Sequence, residues 1–134
     1  MKIAILGAGV YGTALGGVLA ENGYDIDYYD PAREPERLVD AVQGTKAIIL
    51  CVPSEVATRL LPHLPKDKFL VVATKGFLTD ASFEEFKDWA VLSGAGFADD
   101  IKSGQHARLT ATDRRVQELF ANGNLETELT NDRL

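Results

Sequence analysis

Three glycines near the start of the chain are spaced for chemistry that the backbone itself performs. Gly7, Gly9 and Gly12 follow the apolar, strand-like run 2–6 and precede a helical pattern over 13–22. A glycine turn between a strand and a helix lets the backbone approach a pyrophosphate closely, and the N–H groups at the helix start face its charge. The G-x-G-x-x-G spacing in this context therefore predicts a dinucleotide-binding loop.

A carboxylate stands where such a loop needs a second contact. Asp30 ends the next strand-like run, close to the spacing after Gly12 at which an acidic residue binds the adenosine ribose. A carboxylate there accepts hydrogen bonds from ribose hydroxyls and repels a 2′-phosphate, which favours NAD. NADP is not excluded, because Arg33 could accommodate a 2′-phosphate. The alternative interpretation is structural: the glycines form a turn, and Asp30 caps the turn at Pro31.

Length, charge and cysteine content narrow the class of protein. The 134 residues are enough for one domain with one core, over 1–134. The net charge of −6 leaves no basic stripe for nucleic acid, and no apolar run approaches the ~20 residues that span a bilayer. We expect a cytoplasmic protein, because the N-terminus lacks a signal-peptide pattern and Cys51 is the single cysteine. The apolar run around Cys51 predicts a buried thiol.

Strand and helix patterns alternate along the chain. Short apolar runs predict strands at 2–6, 24–29, 46–52, 69–74, 89–93, 108–112 and 126–130. Helical patterns are found at 13–22, 34–43, around 56–61 after a cap at Ser54, from a capping box at 82–85, and at 114–121 after a cap at Asp113. This alternation predicts a doubly wound, mostly parallel sheet with helices on both faces, a Rossmann-like three-layer α/β/α domain.

Sheets of this kind bind ligands beyond the carboxyl ends of their strands. Three such ends are expected, at 7–12, 52–54 and 74–76. Lys75 follows an apolar strand and precedes a glycine, so its ammonium could steer a phosphate or polarise a carbonyl at this edge. The alternative is a solvated loop lysine.

Several segments resemble, in the same order, the NAD(P)-dependent glycerol-3-phosphate dehydrogenases. The opening turn and the beginning of its helix carry the first likeness, and the ends of later strands carry the others. A final segment resembles the junction between the family's two domains. The segments read GAGVYGTAL (7–15), VPS (52–54), ATKGF (73–77), SGAGFA (93–98) and LTND (129–132).

The resemblance implies a role for each matching residue. The cofactor would contact the opening turn, the segment after the third strand, the lysine after the fourth and one alanine: Gly7, Ala8, Gly9, Val10, Tyr11, Gly12, Asp30, Val52, Pro53, Lys75 and Ala98. The substrate would meet Lys75, Gly94 and Gly96, with Lys75 as the catalytic residue. In the family's reaction a hydride passes between the nicotinamide and dihydroxyacetone phosphate or glycerol 3-phosphate.

Three departures from the family pattern change what we expect. The family's helical substrate domain, which supplies the general acid–base lysine, is expected to be absent, so the chain should bind NAD(H) but be incomplete for turnover. The surface that this domain would cover should engage a second copy or a partner domain. The connection between Asp30 and Lys46 is short for the family. Ala95 and Gly96 replace a proline and a hydroxyl residue, which puts the substrate in doubt.

Other functions stay open at this point. A compact, non-catalytic nucleotide-binding or regulatory module would suit the short connection. A reductase of the same broad fold could act on another carbonyl or an imine. The two histidines, His63 and His106, stand apart from any cysteine or carboxylate cluster, so no metal site is predicted.

Overall fold

The computed structural model describes residues 1–73, 80–94, 97–103, 105–123 and 125–130. Its strands are β1 Lys2–Leu6, β2 Asp25–Tyr29, β3 Thr45–Leu50, β4 Phe69–Val72, β5 Asp88–Ser93, β6 Ala107–Ala111 and β7 Leu125–Leu129. Its helices are α1 Val10–Glu21, α2 Leu38–Val42, α3 Ser54–Leu60, α4 Phe97–Lys102 and α5 Arg114–Leu119. Short 3₁₀ turns occur at Pro35–Arg37, Leu61–His63 and Asp80–Phe83.

All seven strands join one sheet in the order β2-β1-β3-β4-β5-β6-β7. The first five are parallel, β6 runs antiparallel to β5, and β7 is parallel to β6. The predicted doubly wound, mostly parallel sheet is confirmed. Each predicted strand lies within two residues of an observed one, because runs of buried apolar residues mark strands that are covered on both faces.

The core lies in two layers, one on each face of the sheet. One layer packs α1 and α5 against residues such as Ile3, Ile5 and Ile49, and the other packs α2 and α3 against residues such as Ala4 and Leu6. Alternate residues of β1 thus enter opposite layers, as the two-residue period of a strand requires. These two layers hold the strand ends in place at one edge of the sheet.

The connection between β2 and β3 crosses β1, so that β3 pairs with β1 on the side away from β2. In the Rossmann order 3-2-1-4-5-6 a further strand flanks the second one, whereas the flavodoxin-like order 2-1-3-4-5 leaves the second strand at the edge. The first five strands here follow the latter order, so β2 is an edge strand. The switch in strand order falls between β1 and β3, where ligands bind in such sheets.

Several local predictions need correction. Ser54 is the first residue of α3, and Pro53 occupies the N-cap position instead. The capping box at 82–85 opens no α-helix, because Ser82 belongs to the 3₁₀ turn Asp80–Phe83. The helix expected over 34–43 is divided into a 3₁₀ turn and the five-residue α2. The cap at Asp113 is confirmed, since its carboxylate accepts a hydrogen bond from the N–H of Arg115 at 2.8 Å.

One helix, α4, was not predicted from the sequence. Phe97 and Ile101 stand one helical turn apart and pack against the core layer that contains α1 and α5. Two aspartates occupy the first turn. That spacing was a readable signal, but six residues are too few for a convincing periodic pattern. The helix matters because it carries Ala98, one of the residues expected to bind cofactor.

Candidate functional site

Gly7 turns the chain out of β1 at the switch in strand order. Its φ of +116° lies in the region that favours glycine, and its N–H donates to the carbonyl of Tyr29 at 2.8 Å. A Cβ at this position would stand 3.0 Å from the backbone carbonyl carbon and oxygen of Cys51. The turn therefore joins the ends of β1, β2 and β3, and a side chain on Gly7 would push β3 away.

Gly12 has an equally direct structural reason. A Cβ there would lie 2.3 Å from the carbonyl oxygen of Gly7, which is the backbone of the turn itself. Only glycine lets the first turn of α1 pack this closely against the loop. The third glycine of the motif therefore serves the close packing of the helix on the turn.

Gly9 differs from both. It is the N-cap of α1 with an extended backbone (φ −77°, ψ −172°), a conformation that any residue can adopt. A Cβ built on it meets no atom within 4 Å in the part of the chain that the structure describes. Neither folding nor packing there requires a glycine. The bare backbone of Gly9 instead leaves space beside the first N–H groups of a twelve-residue helix.

The electrostatics at the start of α1 favour an anion. The first N–H groups of a helix lack acceptors within the helix, and the helix dipole adds partial positive charge there. The first turn of α1 contains no acidic residue that would supply this negative charge from the chain. Val10, the first helical residue, is 76% exposed. Backbone donors and apolar surface thus face outward together at this point.

Below the turn, two ionisable groups are held neutral. Burial raises the pKa of the Cys51 thiol to about 12. Burial also raises the pKa of the Tyr11 hydroxyl, and the tyrosine ring packs edge-on against Phe97 with centroids 5.9 Å apart. A thiol that stays protonated is a poor nucleophile, so Cys51 supports the sheet rather than reacting. The sequence predicted a buried thiol, but Cys51, one residue beyond the end of β3, is only partly buried against the core.

One groove runs from the glycine turn toward α4. It has a volume of about 530 Å³, and its walls are mainly apolar. Its lining brings Ala98 to the turn, as the resemblance implied, and adds the cation of Lys102. The lining residues are Ala8, Gly9, Val10, Thr13, Ala14, Ala98, Ile101 and Lys102.

A second cleft lies on the β2 side, next to Asp30. It has a volume of about 660 Å³ between the connection that follows β2 and helix α3. Pro31 and Ala32 form one wall, and Val56, Arg59 and His63 belong to the other. The cleft combines apolar surface with two side chains that can carry positive charge.

Asp30 stands between Tyr29 and Pro31, two residues that line this cleft. One carboxylate oxygen accepts a hydrogen bond from the N–H of Ala32 at 3.0 Å, and the other lies 3.8 Å from Nε of Arg33. The carboxylate therefore caps its own turn, as the structural interpretation predicted. The side chain is still 34% exposed, so a capped carboxylate and a ligand contact are compatible.

The remaining candidate residues divide into two groups. Val52 and Pro53 adjoin the turn: the Val52 nitrogen would lie 3.2 Å from a Cβ on Gly7, and Pro53 caps α3. Gly94 has a packing reason of its own, since a Cβ there would come within 2.5 Å of the Leu109 side chain. Lys75 and Gly96, together with 131–132, lie outside the described residues.

Metal binding and membrane insertion are two further kinds of function to consider. Within the described ranges, no group of three histidine, cysteine or carboxylate side chains is placed to hold a metal ion. The same part of the chain contains no helix with the length and apolar character needed to cross a bilayer.

Sequence comparison places the chain beside known dehydrogenases. It is 29% identical over 169 positions to a glycerol-3-phosphate dehydrogenase (NAD(P)+) of Citrifermentans bemidjiense, covering 89% of this chain and 50% of that protein. A Yersinia pestis protein of the same name is 30% identical over 156 positions, with 87% and 46% coverage. The chain spans about half the length of the curated relatives it matches. No family model matches it.

Solved structures give the same picture for the fold. A glycerol-3-phosphate dehydrogenase from Coxiella burnetii superposes with a TM-score of 0.78 at 22% identity, covering 98% of this chain and 54% of that one. An imine reductase from Myxococcus stipitatus in complex with NAD+ has a TM-score of 0.68 at 21% identity, with 94% and 53% coverage. The likeness predicted from the sequence is confirmed: the chain is similar to the N-terminal half of glycerol-3-phosphate dehydrogenases.

Proposed function

We propose that this chain is the dinucleotide-binding unit of an NAD(P)-dependent dehydrogenase of the glycerol-3-phosphate type. The contrast among the three glycines carries the proposal. Gly7 and Gly12 are needed by the fold, whereas Gly9 is bare over open space at the start of α1. A pyrophosphate would use that space and the first N–H groups of α1 beside it. The sequence likeness to relatives with this cofactor in their name supports the same conclusion.

The two depressions beside the turn suit the two halves of such a cofactor. The adenosine half would extend toward Asp30 and the cleft between the β2 connection and α3. The nicotinamide half would extend into the apolar groove that Ala98 helps to line. Val52 and Pro53, at the switch in strand order, would lie beneath the pyrophosphate. The cofactor would supply the hydride chemistry, and the chain would bind and orient it.

We propose NAD rather than NADP as the preferred cofactor, because Asp30 would repel a 2′-phosphate. Titrating the chain with NAD, NADH, NADP and NADPH should show tighter binding of the two non-phosphorylated forms. Asp30→Ala should reduce the difference in affinity between the NAD and NADP forms, because it removes the carboxylate and keeps Arg33 beside this position. Glu128→Ala, an exposed carboxylate on β7, is the matched control and should not change the ratio. A wild-type preference for NADP would contradict this assignment.

The substrate side of the proposal follows the family resemblance. Lys75 would place dihydroxyacetone phosphate against the nicotinamide, and Gly94 and Gly96 would line its site. The general acid–base lysine that the resemblance implies for the reaction is not among these three residues. We therefore expect the chain to bind cofactor but to turn over substrate slowly or not at all. The test is the loss of NADH absorbance with dihydroxyacetone phosphate. Brisk turnover by the pure 134-residue chain would refute this expectation.

The substitution of Gly96 for a hydroxyl residue favours one other candidate, a reductase acting on another carbonyl or an imine. The shared fold of an imine reductase is compatible with it. A panel of phosphorylated ketones, keto acids and cyclic imines, assayed with NADH, separates the two. Tight cofactor binding that no member of the panel alters would instead indicate a non-catalytic module.

A further inference from the structure

The outer edge of β2 is occupied by a side chain of the short connection that follows it. The N–H of Asp25 donates to the Met1 carbonyl at 2.9 Å, and the Tyr29 carbonyl accepts from Gly7 at 2.8 Å, so both residues bond toward β1. Alternate residues of a parallel ladder bond in opposite directions, and the carbonyl of Tyr28 therefore points to the free edge. It accepts a hydrogen bond from Nη2 of Arg37 at 3.0 Å.

Arg37 makes three further bonds in the same place. Its two terminal nitrogens lie 3.4 Å and 3.2 Å from the carboxylate oxygens of Asp27, on the strand. Its Nε donates to the carboxylate of Glu34, on the connection, at 2.7 Å. Hydrogen bonding to the two carboxylates raises the pKa of the guanidinium, which stays charged. One planar group thus ties the edge strand to the chain that leaves it.

The connection that Arg37 holds is the turn of Asp30. The N–H of Glu34 donates to the Asp30 carbonyl at 3.0 Å, and the N–H of Arg37 donates to the Glu34 carbonyl at 3.0 Å. Glu34 is therefore bonded to Arg37 through its side chain and to Asp30 through its backbone. Hydrogen bonds of 2.7–3.0 Å thus connect the Tyr28 carbonyl at the strand edge to Arg37, Arg37 to Glu34, and Glu34 to Asp30.

We propose that Arg37 is a positioning residue for the adenosine half of the cofactor. It caps the edge that a further strand covers in the longer Rossmann order, and through Glu34 it fixes the turn that presents the Asp30 carboxylate. The proposal rests on the proposed function, because it assumes that Asp30 meets the ribose. Arg37 itself has no contact with the ligand; it acts through Asp30.

The decisive experiment is a double-mutant cycle between Arg37→Gln and Asp30→Ala. Calorimetric titration of ADP-ribose should show about tenfold weaker binding to R37Q, as expected for losing an orienting, charge-assisted bond. Nicotinamide mononucleotide, which lacks the adenosine half, should bind both proteins equally. In the D30A background, R37Q should cause no further loss, because the carboxylate on which Arg37 acts is gone.

Arg115→Gln is the matched control, since Arg115 also bonds two carboxylates but lies at the amino ends of the interior strands β4 and β5, away from β2. It should reduce thermal stability and leave the affinity for ADP-ribose unchanged. If R37Q does not fold, Glu34→Ala replaces it, because it removes the acceptor of the bond from Arg37 Nε and keeps the bonds of Arg37 to β2. The hydroxyl of Tyr29, which donates to the Pro35 carbonyl at 3.0 Å, still holds the connection in either variant.

The outcomes distinguish the two proposals. If the wild-type chain binds neither NAD nor ADP-ribose, the proposed function is wrong. If the wild type binds and R37Q binds equally well, Arg37 has no positioning role. Equal losses for ADP-ribose and nicotinamide mononucleotide, or additive effects of R37Q and D30A, would likewise overturn the inference and leave only a structural role.

Discussion

The two edges of the sheet use their polar groups in opposite ways. At the carboxyl edge, the glycine turn leaves the first N–H groups of α1 beside an exposed Val10 and the bare backbone of Gly9. At the amino edge, Arg115 forks onto Asp88 and Asp113, and its guanidinium stacks 4.1 Å from the ring centroid of Phe69. The carboxyl edge therefore presents backbone N–H groups beside exposed surface, whereas the charged side chains at the amino edge are paired with one another.

This difference shows where a ligand can gain binding energy. Charged groups that already have partners offer little to a ligand, because binding would first break those bonds. The first N–H groups of a helix have no acceptor within the helix, so a ligand can bind them without breaking the helix. The charged cluster around Arg115 is therefore structural. The uncharged surface at Gly9 and Val10 is the functional candidate.

The largest effect should come from breaking the turn itself. Gly12→Ala places a methyl group 2.3 Å from the Gly7 carbonyl oxygen and should lower the free energy of unfolding by about 2–4 kcal/mol. Urea unfolding followed by circular dichroism measures this loss.

Gly17→Ala is the matched control in the same helix. Gly17 is exposed, and a Cβ there meets no atom within 4 Å among the described residues, so the change should add about 0.5–1 kcal/mol of stability. Equal effects of the two substitutions would show that the close packing of α1 on the loop does not matter.

Next in size is a change that should affect binding but not folding. Gly9→Val fills the space proposed for the pyrophosphate and should weaken NAD binding by at least about tenfold, as loss of close backbone approach implies. The midpoint of thermal unfolding should shift little, since a Cβ at this position meets no atom within 4 Å among the described residues. Gly123→Ala, also over open space, should change neither property. Intact binding by the Gly9 variant would show that the loop has been wrongly assigned.

The smallest effect concerns the amino edge and depends on pH. The hydrogen bond from Arg115 lowers the pKa of Asp88, so the stabilisation is present above the ordinary aspartate pKa of about 3.9 and disappears as pH falls through the lower native value. The free energy of unfolding of the wild type should exceed that of Asp88→Asn by no more than about 1 kcal/mol at pH 7, because the Arg115–Asp88 pair is half exposed. Urea unfolding from pH 7 to pH 2 should show this gap closing.

Asp67→Asn supplies the comparison for that series. Asp67 is exposed and makes no ion pair within the described ranges of the chain. A gap between wild type and Asp88→Asn that stays constant down to pH 2 would mean that Asp88 contributes through packing rather than through its charge.

Much of the fold was predictable because it is written in local patterns. The strands β1, β3 and β4 come from nearly continuous apolar runs, and the G-x-G-x-x-G motif predicts the turn at Gly7. The antiparallel joint between β5 and β6 was not predictable, because periodicity shows where a strand lies but not which way it runs in the sheet. The short helix α4 and the 3₁₀ turn at 80–83 were missed or misread because so few residues carry a weak signal.

The candidate site divides in the same way. The sequence alone determined the glycine turn, the carboxylate at the end of β2 and the likeness to one dehydrogenase family, since each depends on residues close together in the chain. Only the tertiary structure decided that β2 lies at an edge, that Arg37 covers it, and that Ala98 reaches the turn. The place of β2 and the approach of Ala98 arise from contacts between segments far apart in sequence, which the packing of the two core layers sets. Arg37 is only nine residues from Tyr28, but its contact depends on how the chain turns back onto the strand, which no local sequence pattern shows.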